Sequence, residues 1–249
     1  MYTEIIQRFL SECDYINIHP RAALIDMDGT LYDSMPSHAK AWRQMASEIG
    51  LELPEADFFR YEGRTGASTI DIIFRQEFGR GATDSEKKEL YRRKTEIFAS
   101  MPAVSPMPGA GQMLDFLDVV GIKRILVTGS GQSTLLDRLD VDFPGSFSKD
   151  LRVTSRDVKI GKPSPEPYLK AMEIAGVKPN ECFVIENAPL GVEAGHAAKI
   201  FTIGVNTGPL RPEELAEAGA DIVFSSMTSF AEALPYLIYG FITNSRNLN

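Results

Sequence analysis

The run AALI at positions 22–25 carries no polar residue and stops abruptly at DMDGT (26–30). A strand that is apolar at every position must be covered on both faces, the situation of a strand inside a parallel sheet. Similar runs recur as RILVT (124–128), CFVIE (182–186), FTIGV (201–205) and DIVF (221–224), separated by stretches such as GAGQMLDFLDVVG and EPYLKAMEIAG with helical spacing. Strands alternating with helices predict an α/β domain, a parallel sheet between two helical layers. The interval from Ser34 to Pro106 breaks that rhythm. Its apolar positions (Trp42, Met45 and Ile49; Ile70, Ile73 and Phe74; Leu90, Ile97 and Phe98) show helical spacing alone, punctuated by Pro54 and a Gly79–Gly81 turn, which predicts an all-helical insert after the first strand.

A chain of 249 residues holds one large domain, or a medium one with a smaller insert. Its net charge of -8 and pI of about 5.0 argue against a nucleic-acid surface. Segment 1–20 includes Glu4, Arg8, Glu12 and Asp14, unlike a secretion signal, and reads as an amphipathic helix with Ile5, Phe9 and Leu10 on its packing face. No stretch approaches the ~18 apolar residues that span a bilayer. The two cysteines, Cys13 and Cys182, are expected to be reduced thiols in a cytoplasmic protein.

DMDGT places Asp26 and Asp28 at the carboxyl edge of the sheet, where open α/β folds bind ligands. Two such close carboxylates call for a cation with oxygen ligands; a solvated turn or a calcium loop is the plain alternative. After the second apolar run, VTGSGQST offers the hydroxyls of Thr128 and Ser130 and the amides around Gly129 and Gly131, a phosphate cradle or simply a helix cap at Ser133. Lys162 lies in the proline-fixed loop KIGKPSPEPYL, as a point charge for a phosphate or carboxylate or as an ordinary surface lysine. Glu186 and Asn187 in VIENAPLG end a further run and could complete a metal site.

In this order DxDGT, strand-TGS, Lys-Pro and strand-Glu-Asn, over about residues 21–230, resemble the four motifs of the haloacid dehalogenase superfamily of phosphohydrolases. DSMPSHAKAW, with His38 and Trp42, is similar to the first cap helix of its β-phosphoglucomutase-like subgroup. The resemblance implies a Rossmann-like core (21–34 and 107–240), a four-helix-type cap (35–106), an N-terminal helical extension (1–20) and a polar tail (241–249). Asp26 would be the nucleophile forming an aspartyl-phosphate, and Asp28 the acid and base. Thr128 and Lys162 would neutralise the transferring phosphoryl group, and a closing cap would exclude water. Magnesium would be held by Asp26 and the Asp28 carbonyl, with Glu62, Asn187 and Glu186 as further candidates. Gly129, Ser130, Lys94, His38 and Arg64 would bind substrate.

Two positions depart from the sugar-phosphate mutases: Asn187 stands where they carry a metal-binding aspartate, and Gly66 where a cap arginine grips the distal phosphate. Together with Glu62 in EGRTG and Lys94, they resemble the branch that hydrolyses inorganic pyrophosphate. The expected function is therefore a magnesium-dependent phosphohydrolase of a small phosphorylated substrate, plausibly pyrophosphate; the alternative is a β-phosphoglucomutase or a sugar-phosphate phosphatase. Plainer roles are a solvated loop acid for Glu62, a solvated helix face for Lys94 and cap packing for His38 and Trp42. A non-catalytic phosphate-binding protein is disfavoured because Asp26, Asp28, Thr128 and Lys162 are all present. A monomer with no membrane or nucleic-acid partner is expected.

Overall fold

A computed structural model describes residues 2–131 and 133–244. The chain begins with α1 (Thr3–Cys13) and β1 (Ala22–Ile25), then runs through four helices, α2 (Met35–Glu48), α3 (Glu55–Arg60), α4 (Gly66–Phe78) and α5 (Asp84–Ala99). Beyond them come α6 (Ala110–Val119), β2 (Lys123–Val127), α7 (Ser133–Asp142), β3 (Arg152–Val153) and α8 (Glu166–Ala175). The last part holds β4 (Cys182–Glu186), α9 (Pro189–Ala197), β5 (Phe201–Val205), α10 (Pro212–Glu217), β6 (Ile222–Phe224) and α11 (Met227–Thr243).

All six strands are parallel, in the order β3-β2-β1-β4-β5-β6. Leu24 lies opposite Ile125 on one side and Val184 on the other. From β1 the chain moves outward to β2 and β3 and then returns to the far side of β1 as β4, so the direction of winding reverses between β1 and β4. A crevice at the carboxyl ends of the strands forms at such a reversal. The alternation along β1 divides the core: Ala23 and Ile25 join one apolar cluster with Phe9, Leu114 and Phe241, while Ala22 and Leu24 join the other with Tyr168, Ala171 and Ala194. Both faces are covered, as the uninterrupted apolar run requires.

Helices α2–α5, the segment expected to be the cap, pack on one another: α2 on α3 and α5, and α4 on α5. Their ends are set locally. Thr83 and Glu86 make a reciprocal capping box at the start of α5, and the Thr65 hydroxyl accepts from the Ser68 N–H to start α4. The Thr65 cap fixes the exit of the 61–65 loop, which carries Glu62.

Three details differ from expectation. The two-residue edge strand β3 has no apolar run of its own and is invisible to periodicity. In α1 Ile6, not singled out from the sequence, is fully buried because the helix lies on α11, where Gly240 leaves room for it, while Ile5 packs partly buried against the same core. The tail begins later than position 241: α11 continues to Thr243 and Phe241 is 0 % exposed against Phe201, so aromatic packing carries the helix through. The remaining tail residues, 245–249, lie outside the described residues. Among the described residues no helix is long and apolar enough to cross a membrane.

Candidate active site

Asp26 is the first residue beyond β1, and its N–H still bonds to the Ile185 carbonyl at 3.1 Å, which fixes its backbone against β4. Gly29, at φ +77°, then turns the chain away, a conformation that favours glycine. Asp26 is 4 % exposed. Lys162 reaches it from the loop before α8: its ammonium stands 2.5 Å from Asp26 Oδ1 and 2.5 Å from Glu186 Oε1, and donates to the Val127 carbonyl at 3.1 Å. Although burial opposes its charge, the two carboxylates hold the Lys162 pKa above the usual lysine range. Burial pushes the Asp26 carboxyl well above its ordinary range, against the pull of Lys162 and with Glu186 and Asp28 adding to the effect. One ammonium between two buried carboxylates leaves an uncompensated charge.

Asp28 sits in a separate network. Ser34, the residue before α2, donates to its Oδ1 at 2.7 Å, and His38 Nε2 lies 2.9 Å from the same oxygen. His38 Nδ1 in turn lies 2.6 Å from Lys94 Nζ, and the imidazole stacks on Phe98 at 4.2 Å. A neutral imidazole that donates from Nε2 and accepts at Nδ1 satisfies both contacts. Burial, then Lys94, lower the His38 pKa, against Asp28. Burial opposes ionisation of Asp28 too, yet His38 and Ser34 hold its carboxyl below the ordinary range.

Lys94 is 3 % exposed, with its ammonium 5.2 Å from the ring centres of Trp42 and Phe98. It is no solvated helix face. Burial pushes its pKa down to about 7, with Asp28 opposing. Between that value and the unperturbed 10.5 the unfolded chain binds a proton that the folded chain does not, so this group makes stability rise with pH across the window. Lys94→Met is expected to raise Tm at pH 7 and flatten that rise, while increasing KM for an anionic substrate about ten- to a hundredfold. Thermal unfolding at several pH values and steady-state kinetics check both.

Glu62, 8 % exposed, projects from the cap loop, and Asn187 Nδ2 donates to its Oε1 at 2.7 Å. Burial raises the Glu62 pKa well above the ordinary range; the Asn187 bond opposes this, while Asp26, Glu186 and Asp28 reinforce it. Among the described residues no three acidic, histidine or cysteine side chains converge as a prebuilt metal cluster. The charge balance nevertheless fits a hard divalent cation, since the carboxyl groups of Asp26, Asp28, Glu62 and Glu186 interact in a buried space where two ammonium groups, Lys162 and Lys94, face them. Glu186, expected at the metal, has both oxygens engaged: Oε1 with Lys162 and the Tyr168 hydroxyl (2.6 Å), Oε2 with the Asn187 N–H (3.2 Å).

A cavity of ≈ 60 Å³ between core and cap is lined by Asp26, Asp28, Glu62, Lys94, Thr128 and Ser130, and also by His38, Gly129 and Arg64. Every residue expected to bind substrate therefore borders it. The Thr128 hydroxyl accepts from the Ser130 N–H at 3.0 Å, as a turn preceding α7 requires. The Arg64 Nε is buried without a hydrogen-bond partner among the described residues. At Gly66 an added Cβ would lie 2.1 Å from the Tyr91 ring, so the position of the mutase arginine is filled by an aromatic ring. Tyr91 and Ser34 were not evident from the sequence. Tyr91 lies three residues before Lys94 on α5 and so shares its face, a signal available in retrospect.

The family described as haloacid dehalogenase-like hydrolase matches residues 20–199. Hexitol phosphatase A of Escherichia coli (strain K12) is 32 % identical over 205 residues, covering 82 % of this chain and 90 % of that protein. A phosphorylated carbohydrates phosphatase of Thermotoga maritima is 32 % identical over 201 residues, covering 80 % and 91 %. Among solved structures, a provisionally named β-phosphoglucomutase of Bacteroides vulgatus superposes with a TM-score of 0.93 at 48 % identity, covering 96 % of this chain and 98 % of that one.

Proposed function

The chain belongs to the haloacid dehalogenase-like hydrolase family, in its β-phosphoglucomutase-like subgroup, and from that premise we propose a magnesium-dependent phosphohydrolase acting through a phosphoaspartate on Asp26. The observation that carries this reading is the buried Asp26 carboxylate held at 2.5 Å by Lys162 at the sheet's crevice. Lys162 orients Asp26 for attack on phosphorus and, with Thr128, faces the charge that the phosphoryl oxygens develop. Asp28, fixed by Ser34 and His38, gives a proton to the leaving oxygen and takes one from the attacking water when the phosphoaspartate is cleaved. Lys94 places positive charge in the same cavity. Magnesium, held by Asp26, the Asp28 carbonyl, Glu62 and Asn187, would supply charge neutralisation to the phosphoryl group.

For the substrate, the relatives favour a small sugar or polyol phosphate, because those acting on phosphorylated hexitols and carbohydrates align over about four-fifths of this chain. Pyrophosphate is the second reading. It is favoured by the ≈ 60 Å³ cavity, by the Glu62 carboxylate at its wall and by the ring of Tyr91 at Gly66. Phosphate release with magnesium from hexitol phosphates, hexose phosphates and pyrophosphate separates them. Turnover of a sugar or polyol phosphate at a kcat/KM at least about tenfold above pyrophosphate is expected; the reverse order replaces the first reading with the second. Formation of glucose 6-phosphate from β-glucose 1-phosphate in the presence of the bisphosphate would instead identify a mutase.

A further inference from the structure

We propose that Asn187 is a cap-positioning residue: its amide holds Glu62 and so seats the 61–65 loop over Asp26. Asn187 Nδ2 donates to Glu62 Oε1 at 2.7 Å, and Asn187 Oδ1 accepts from the Thr30 hydroxyl at 3.4 Å. These two contacts give the amide one orientation, nitrogen toward the cap and oxygen toward the core. Glu62 has no other hydrogen-bond donor among the described residues.

The cap loop approaches the core too closely for this bond to be incidental. A Cβ at Gly29 would lie 1.9 Å from Asn187 Nδ2 and 2.9 Å from Glu62 Oε1. One at Gly129 would lie 2.4 Å from the Gly63 carbonyl oxygen, and one at Gly161 2.8 Å from the Thr65 methyl. The loop rests on bare main chain at all three places. That seat carries the Glu62 carboxylate into a buried space shared with Asp26, Asp28 and Glu186, where Lys162 is already committed to Asp26 and Glu186. Burying a further carboxyl group without a hydrogen-bond partner is strongly unfavourable. Asn187 is that partner. An aspartate in its place would add one more negative charge and make closure depend on a cation.

Were a cation bound, Glu62 and Asn187 would be among the residues to hold it, and the bond between them would be exchanged for that charge neutralisation. This exchange rests on the magnesium reading above; the latch itself does not.

Hydrogen exchange of the backbone amides of residues 62–66, measured in EDTA and in magnesium without substrate, tests both parts. Asn187→Asp is expected to speed exchange of this loop in EDTA about ten- to a hundredfold, the equivalent of leaving a buried polar group without its hydrogen bond. Magnesium is expected to restore protection. Asn187→Ala, which removes the donor without adding charge, is expected to open the loop by a smaller factor. The exchange of sides, E62Q with N187D, returns an amide-to-carboxylate bond in the opposite direction and is expected to re-protect the loop in EDTA. Amides of β1 and β4 serve as the reference for an intact fold. A loop as protected in N187D and N187A as in the wild type overturns the latch, and so does a side-exchanged variant that stays open. If N187D opens, the exchanged variant recloses and magnesium changes neither, the latch stands and the cation exchange falls.

Discussion

Replacing Asp26 with Asn is expected to lower turnover of every substrate by roughly 10⁴-fold or more, because the amide keeps the shape but has no nucleophilic oxygen pair. Folding should survive the change. Burial and the neighbouring Glu186 and Asp28 raise the Asp26 pKa, so its contribution to stability is present below the unfolded carboxyl range and fades as pH rises through the folded value. The charge on Asp26 is therefore a burden on the fold once pH has risen through the folded value. Asp26→Asn relieves it, and Tm in EDTA should equal or exceed that of the wild type. Phosphate release and thermal unfolding on the same preparation check the pair of outcomes. Residual turnover above about 1 % would remove Asp26 from the role of nucleophile.

Lys162→Met should act in the opposite sense on stability. Lys162 is 2 % exposed and its ammonium joins Asp26 to Glu186, so its removal leaves two buried carboxyl groups without their shared partner. Breaking a buried pair in this way costs about 3–5 kcal/mol. For a chain of this size, that corresponds to a fall in Tm on the order of 10 °C. The Lys162 pKa is raised in the fold, so its stabilisation is complete below the ordinary lysine value and is lost only as pH climbs through the higher folded one; the deficit of the variant should persist across neutral pH. Combining it with Asp26→Asn should recover part of the lost stability, because one of the stranded charges is gone. A double variant no more stable than Lys162→Met alone would mean that Lys162 supports the fold by packing rather than by charge.

The strands were legible wherever burial on both faces forced an uninterrupted apolar run, and Asp26, Asp28, Thr128, Lys162, Glu186 and Asn187 were legible because they follow those runs or their loops. β3 escaped notice because a two-residue edge strand needs no such run. Periodicity located α1 through Ile5, Phe9 and Leu10, all of which pack on the core, but did not single out Ile6, the more deeply buried neighbour. The electrostatic layout of the site was less accessible. Nothing in the local sequence says that Lys94 lies between two aromatic faces and a histidine, or that Tyr91 occupies the space above Gly66. Those contacts depend on how α2, α4 and α5 pack. The substrate expectation met the same limit: EGRTG and Asn187 suggested pyrophosphate, whereas the relatives act on phosphorylated carbohydrates.

The reversal of winding between β1 and β4 also bears on how the enzyme comes into being. Asp26 and Lys162 are 136 positions apart, and the strand beside β1 that carries Glu186 is made later still. Helices can form early from local contacts, but strand pairing over such distances is slow. During synthesis Asp26 emerges before Lys162 and Glu186, so the buried ion pairs that join the three can form only after β4 has been made.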